Sequence, residues 1–262
     1  MSRDTLYVIK IGGNIVDNPT VLDAFLTEFA QLEVPAILVH GGGKLATKLA
    51  ADLGVAQQMV EGRRITDAET LKIVTMVYAG YINKNIVASL QSLGVNAIGL
   101  TGADGNLIQS HKRLHASIDY GFVGDVDVVN ASFVSELLKN KYQLVIAPIT
   151  HDKKGQLLNT NADTIAQELA TGLSQLYNVH LIYGFEKEGV LRDINDSSSV
   201  ISNIDRPSYE TLKNDKVIFE GMIPKIDNAF EALQNGVTSV IIGKAEKLTN
   251  LINGTAGTTI TT

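Results

Sequence analysis

"AILVHGGGKLATKL", Ala36 to Leu49, runs from an apolar β-branched stretch through three contiguous glycines into a phrase with helical spacing. A strand that turns at glycine directly into a helix is the building unit of a parallel sheet, because parallel neighbours need a crossover after each strand. Glycine at that junction also serves binding: without a Cβ the backbone can come close to a ligand, and the free N–H groups of the first helical turn attract an anion. A Walker loop is a different object. It needs four residues between its first Gly and a Gly-Lys-Ser/Thr ending, whereas Gly41, Gly42 and Gly43 are contiguous and Leu45 follows Lys44. The stretch reads as an anion cradle of another kind. A tight βα turn explains any one of these glycines with equal ease, but three in a row much less so.

Outward from this stretch the same unit recurs. Apolar runs "TLYVIKI", "PAILVH", "VNAIGL", "YQLVIAP", "LYNVHLIY" and "VTSVIIG" alternate with amphipathic phrases, which predicts an open, mainly parallel sheet with helices on both faces. The clearest helix runs from about Thr66 to Leu93, with Leu71, Val74, Tyr78, Ile82 and Ile86 at three- and four-residue steps. "LIQS" and "GFVGDVDVV" read as β-hairpin material, set off by Gly105 and Gly121. Gly12-Gly13, after the first strand, echoes the glycine triplet. Ligands of open α/β sheets sit at the carboxyl ends of strands, where both glycine turns lie. A boundary near residue 172, at "ATGLSQ", divides the chain into an N-terminal lobe, 1–172, and a C-terminal lobe, 173–262.

Composition narrows the classes. A chain of 262 residues, 45% apolar, can build one large or two modest cores. The absence of cysteine removes disulfides, thiolate metal sites and cysteine nucleophiles together. A net charge of −6, with no sizeable Lys/Arg cluster, argues against nucleic acid as a partner. No run approaches the ~18 apolar residues of a membrane span, and the first apolar run is broken by Lys10; a cytoplasmic chain with no membrane partner is expected. His111 and His115 are four apart but have no third ligand in view, so no metal site is predicted. The absence of a G-x-S-x-G elbow disfavours a serine hydrolase.

In an acidic protein, isolated basic residues beside glycine turns are the informative ones. Lys10 stands inside an apolar strand two residues before Gly12, where a lysine needs a partner; an edge-strand lysine is the structural alternative. Lys225 follows Pro224 at the start of a helix whose apolar stripe is Ile226, Ala229, Phe230 and Leu233. A cation in a first turn opposes the helix dipole, which points to a compensating anion; Lys44 has the same geometry and carries less weight. "NTNAD" sets Asn159, Asn161 and Asp163 at alternate positions before a helix, and either Asn161 or Asp163 could be its N-cap. Arg63 and Arg64 sit in a turn around Gly62, where a structural role for at least one is the default.

"VIKIGGN", "LVHGGGK", "EGRRIT", "GLTGADG", "GFVGDV", "NTNAD" and "GMIPKI", in that order and across nearly the whole chain, resemble the amino acid kinase family. Within it they are most similar to members that phosphorylate the γ-carboxylate of an N-acylated glutamate. The resemblance implies an α/β fold, a three-layer αβα sandwich like that of carbamate kinases. It implies that Lys10 and Lys225 contact the transferring phosphoryl group and that Asp163 holds them. It further implies that Gly12, Gly13, Gly42 and Gly43 offer N–H groups to phosphate oxygens, and that Arg64, Asn159 and Asn161, with Gly42 and Gly43, hold the amino acid. ATP would bind the C-terminal lobe and bring Mg²⁺ with it; the substrate would be N-acetyl-L-glutamate, in arginine biosynthesis.

One position departs from the family's "TDV-x-G-V" phrase: "YGFEKEGV" places Glu186 where the aspartate on the nucleotide side stands. The chain also begins almost directly with its first strand, without the N-terminal helix that the family associates with arginine-inhibited hexamers, so the resemblance implies an uninhibited homodimer. Other readings are the same reaction on an N-succinyl-L-glutamate, a carbamate, uridylate or glutamate 5-kinase, and a non-catalytic amino-acid sensor.

Overall fold

The computed structural model describes residues 3–60, 63–218 and 222–262; the turn at Gly62 lies outside them. The chain enters through strand β1 (Thr5–Ile11) and the short helix α1 (Gly13–Val16), then α2 (Pro19–Ala30). The quoted stretch folds as β2 (Ala36–His40) and α3 (Gly43–Asp52). A small ribbon of β3 (Met59–Val60) and β4 (Arg63–Arg64) precedes α4 (Ala68–Thr75), a π-helical segment over Met76–Ile82 and α5 (Asn83–Ser92). Next come β5 (Ala97–Leu100), β6 (Ile108–Lys112), β7 (Gly124–Val129), α6 (Ala131–Lys139) and β8 (Gln143–Ile146). They are followed by β9 (Ile149–His151), β10 (Leu157–Asn159), α7 (Ala162–Leu173) and β11 (Asn178–Phe185). The chain finishes through β12 (Asn203–Ile204), α8 (Arg206–Asn214), α9 (Ile223–Gln234), β13 (Ser239–Lys244), α10 (Leu248–Ile252) and β14 (Thr258–Ile260).

Among the described residues, eight strands form one sheet in the order β12-β14-β13-β11-β1-β2-β8-β5, parallel throughout except where β13 meets β14. All six expected strands are in it. Alternation along β1 divides the core in two. Leu6 and Val8 face the layer of α6, α7, α8 and α9, while Ile9 and Ile11 face α2, α3, α10 and the long α4–α5 rod. This is the expected αβα sandwich. The antiparallel pair β6 and β7 forms the predicted hairpin and, with β9 and β10, a separate four-stranded sheet.

Two details position the site. Strand β1 is flanked by β11 on one side and β2 on the other, so the chain changes direction across it, and the crevice at such a switch point is where open sheets bind ligands. The helix predicted over 66–93 is continuous but bulges into i→i+5 pairing over Met76–Ile82, a feature that recurs at functional sites. Residue 172 falls in the last turn of α7.

Candidate active site

The two glycine turns meet. Gly12 caps α1 and Gly42 caps α3, and neither helix has a side-chain cap, so their first N–H groups are left for other acceptors. A Cβ on Gly13 would lie 3.8 Å from the Gly43 nitrogen, and one on Gly41 would lie 3.5 Å from the Gly13 nitrogen. Two helix N-termini thus abut, with their uncapped N–H groups close together. Gly42 must be glycine: its φ is +157° and a Cβ there would stand 2.2 Å from Ile82 Cδ1.

Lys10 stands one residue before the end of β1, on the α7 face, and reaches Asp163 in the first turn of α7. Its Nζ lies 2.8 Å from Asp163 Oδ1, an ion pair at hydrogen-bonding distance. Burial alone would raise the Asp163 carboxyl, but the charges of Lys10 and Lys225 overcome it and hold it below the usual carboxylate range. Lys225, in the first turn of α9, is drawn below the usual lysine range by burial; Asp163 opposes that shift, Lys10 adds to it and Glu186 opposes it. Lys10, Asp163, Lys225 and Glu186 therefore share one electrostatic neighbourhood. Lys225 Nζ also lies 5.9 Å from the Phe185 ring centre. The helix begins at Ile223, so Pro224 is its second residue rather than its first.

The remaining expected residues line a cavity of about 190 Å³ next to the glycine triplet, which Arg63, Arg64, Tyr78, Asn159 and Asn161 also border. Arg64 is buried. One terminal nitrogen donates to the Gly43 carbonyl and the Thr47 hydroxyl, both at 2.9 Å, and the other donates to Gln57. The guanidinium so ties the glycine turn to the ribbon and keeps only part of its fork for a ligand. Asn159 donates to Thr66 Oγ1 at 3.0 Å, which in turn donates to the Arg64 carbonyl. Asn161 is the N-cap of α7: its Oδ1 accepts from the Asp163 and Thr164 amides, leaving its amide nitrogen for the cavity. This resolves the choice between Asn161 and Asp163, and frees the Asp163 carboxylate for the lysines.

Sequence reasoning missed Tyr78. Its spacing makes it part of an apolar stripe, and its ring is indeed buried. A Cβ on Gly43 would lie 3.9 Å from its hydroxyl and 3.6 Å from Arg64. Burial raises its phenol, opposed by the Arg64 charge. An aromatic hydroxyl on a helix stripe facing a glycine turn is the signal that could have marked it.

Among the C-terminal residues, an apolar recess of about 250 Å³ bordered by Val190, Leu191, Ile194, Val217, Ile218 and Met222 opens beside the start of α9. Among the described residues, no group of three His, Asp or Glu side chains is placed to hold a metal ion; His111 instead meets Asp127 at 2.6 Å. No described helix is long and apolar enough to cross a membrane.

A profile of the amino acid kinase family matches residues 5–244. An acetylglutamate kinase of Cytophaga hutchinsonii is 59% identical over 249 residues, 95% of this chain and 94% of that one. One of Bacteroides thetaiotaomicron is 56% identical over 246 residues, covering 94% and 96%. Among solved structures, smu.665 of Streptococcus mutans superposes with a TM-score of 0.76 at 28% identity over 98% of both chains. N-acetylglutamate synthase of Neisseria gonorrhoeae, complexed with coenzyme A and N-acetyl-glutamate, gives 0.84 at 20% identity. This chain spans 60% of that longer one and shares its fold.

Proposed function

The chain belongs to the amino acid kinase family, and from that premise we propose that it transfers the γ-phosphoryl group of ATP to the γ-carboxylate of N-acetyl-L-glutamate. The products are N-acetyl-L-glutamyl 5-phosphate and ADP, and the step belongs to arginine biosynthesis. A carboxylate oxygen bonds to phosphorus while the bond to the β,γ-bridging oxygen breaks. The nucleophile is already ionised at neutral pH, with a reference pKa of about 4.3, so no general base is required. The obstacle is repulsion between carboxylate and polyphosphate, roughly 1 kcal/mol per unit-charge pair at 4 Å in water and about 4 at an effective dielectric of 20.

The single observation that carries this reading is the convergence of Lys10, Asp163 and Lys225 beside two abutting helix N-termini. Phosphoryl transfer is catalysed mainly by positioning and electrostatics, and these groups supply both. In this reading Lys10 and Lys225 neutralise the transferring group, Asp163 holds the lysines, and Gly12, Gly13, Gly42 and Gly43 donate N–H groups to phosphate oxygens. Arg64, Asn159 and Asn161 hold the acylated amino acid in the N-terminal lobe, 1–172. ATP lies against the C-terminal lobe, 173–262, with its base in the apolar recess, Glu186 nearby, and Mg²⁺ arriving as part of the nucleotide substrate. The reaction draws on the cytoplasmic ATP pool. Half-exposed Met76 and Tyr81, 54% and 63% accessible on the π-helical segment, support a homodimer, since apolar side chains grouped on a surface mark contact sites.

A second reading rests on Arg63, which borders the same cavity as Arg64. A second guanidinium suits a second carboxylate, as in N-succinyl-L-glutamate. A coupled assay of ADP release, comparing kcat/KM on the acetyl and succinyl substrates, tests both. Preference for the acetyl compound supports the first, preference for the succinyl compound the second, and turnover of neither overturns the kinase reading.

A further inference from the structure

Tyr183 lies on β11 directly across from Lys10 on β1, and laterally paired residues of a parallel sheet project to the same face. Its ring is buried in the layer beneath α7 and α9. Its hydroxyl makes no hydrogen bond, a costly arrangement for a buried donor. Asp163 Oδ1, at the N-terminal end of the α7 that packs on this face, is likewise buried, with the Lys10 ammonium 2.8 Å away. A buried donor without an acceptor thus sits on the residue paired with Lys10, the lysine that holds the Asp163 carboxylate. The phenol also senses that carboxylate, since the Asp163 charge adds to burial in raising it. A phenylalanine would fill the same apolar space with no polar atom to satisfy, so the oxygen calls for a role.

We propose that Tyr183 is a positioning residue for phosphoryl transfer: its hydroxyl donates a hydrogen bond to the Asp163 carboxylate and fixes that carboxylate between the Lys10 and Lys225 ammonium groups in the catalytic conformation. The inference rests on the roles given above to those three residues. The groups coupled to Asp163 are Lys10 from β1, in contact with it, and, through their electrostatics, Lys225 from α9 and Tyr183 from β11, with Glu186 acting on Lys225. Tyr183 touches neither substrate in this arrangement and acts through the carboxylate.

The test is Tyr183→Phe, which removes one oxygen, and it has two readouts. Turnover falls roughly ten- to a hundred-fold, the range for losing a hydrogen bond to a charged group, while KM for both substrates stays within a factor of about three. Independently of turnover, the Asp163 carboxyl, followed by carbon-13 NMR in aspartate-labelled protein, titrates at higher pH, and the acid limb of kcat moves the same way. Wild-type turnover together with an unmoved Asp163 titration overturns the proposal. Should the variant fold poorly, 3-fluorotyrosine at position 183 keeps the shape and strengthens the donor. The Asp163 titration then moves to lower pH, and no movement again overturns the idea. A wild-type protein that releases no ADP refutes the kinase reading itself; a working wild type beside an unaltered Y183F refutes only the part assigned to Tyr183.

Discussion

The Lys10 ammonium and the Asp163 carboxylate stand 2.8 Å apart, one at the end of a central strand and the other in the first turn of a helix packed on its face. The pair is mostly buried, at 13% and 26% side-chain exposure, and the Lys225 charge acts on the same carboxylate. A buried carboxylate beside two cations keeps them in place, and in the proposed function each cation neutralises part of an incoming polyanion.

On the proposed function, removing either cation removes charge from where carboxylate and polyphosphate meet. Lys10→Ala and Lys225→Ala should each lower turnover by at least the roughly 10²- to 10³-fold typical of losing one preorganised donor. Steady-state kinetics with N-acetylglutamate and ATP measures this. Near-normal kcat in either variant would show that the lysine stands outside the reacting centre.

Gly42→Ala should cost both stability and turnover. The added methyl meets Ile82 Cδ1 and forces an L-residue into a left-handed φ, and overpacking of this kind costs about 1–3 kcal/mol. Ile82→Ala in the same chain removes the 2.2 Å contact but leaves the φ strain and the Tyr78 ring at 3.2 Å. The double variant should melt above G42A carrying native Ile82 once the separate loss from I82A is subtracted, and its turnover should remain low. Strict additivity of the two melting-temperature changes would refute the contact.

Arg64 donates to the Gly43 carbonyl and the Thr47 hydroxyl, and in the proposed function it also grips the acylated amino acid. Arg64→Lys keeps the charge but loses the fork, so KM for the acylated amino acid should rise roughly a hundred-fold, in line with the 1.5–3 kcal/mol of a charge-assisted hydrogen bond, with KM for ATP nearly unchanged. Thr47→Ala removes one anchor of the guanidinium and should raise the same KM by less than about ten-fold. Equal effects on both KM values would move Arg64 out of the amino-acid pocket.

Legibility followed the range of the forces involved. The strands of the main sheet and the hairpin are local patterns of alternation and turn residues, and each expected one forms. Lys10 announced a partner because an apolar strand leaves a lysine no solvent, yet nothing local named Asp163; only the ordered set of motifs did so. The π bulge over Met76–Ile82, whose Tyr78 and Ile82 pack close to Gly42, left no mark in the three- and four-residue spacing, and Tyr78 was hidden with it inside a good apolar stripe. Tyr183 was read as one more strand residue, since a phenol's hydroxyl leaves no trace in periodicity. Two-residue strands such as β12 are held by their neighbours and carry no pattern of their own.

His40 closes β2 and is fully buried, with Nδ1 2.9 Å from the Gly41 carbonyl and Nε2 3.2 Å from the Asn83 amide nitrogen. The amide can only donate, so Nε2 accepts and Nδ1 carries the proton, giving a neutral ring that braces the first glycine of the triplet. Burial drives its pKa down to about 4, assisted by the Lys84 charge and resisted by the bond to Gly41. The unfolded chain, with an ordinary histidine near 6.5, takes up a proton first as pH falls. Its contribution to stability is therefore complete above about pH 6.5, is lost between about 6.5 and 4, and is gone below, a loss of roughly 3 kcal/mol over the whole window. Carboxylates add their own acid dependence, so the useful quantity is a difference. His40→Gln keeps a donor and an acceptor without a titrating ring, and urea unfolding at pH 7 and pH 4.5 should show the wild type losing more stability than the variant. Parallel pH profiles for the two proteins would mean that the imidazole is reached by a proton without unfolding, and that the glycine turn is braced by something other than a permanently neutral histidine.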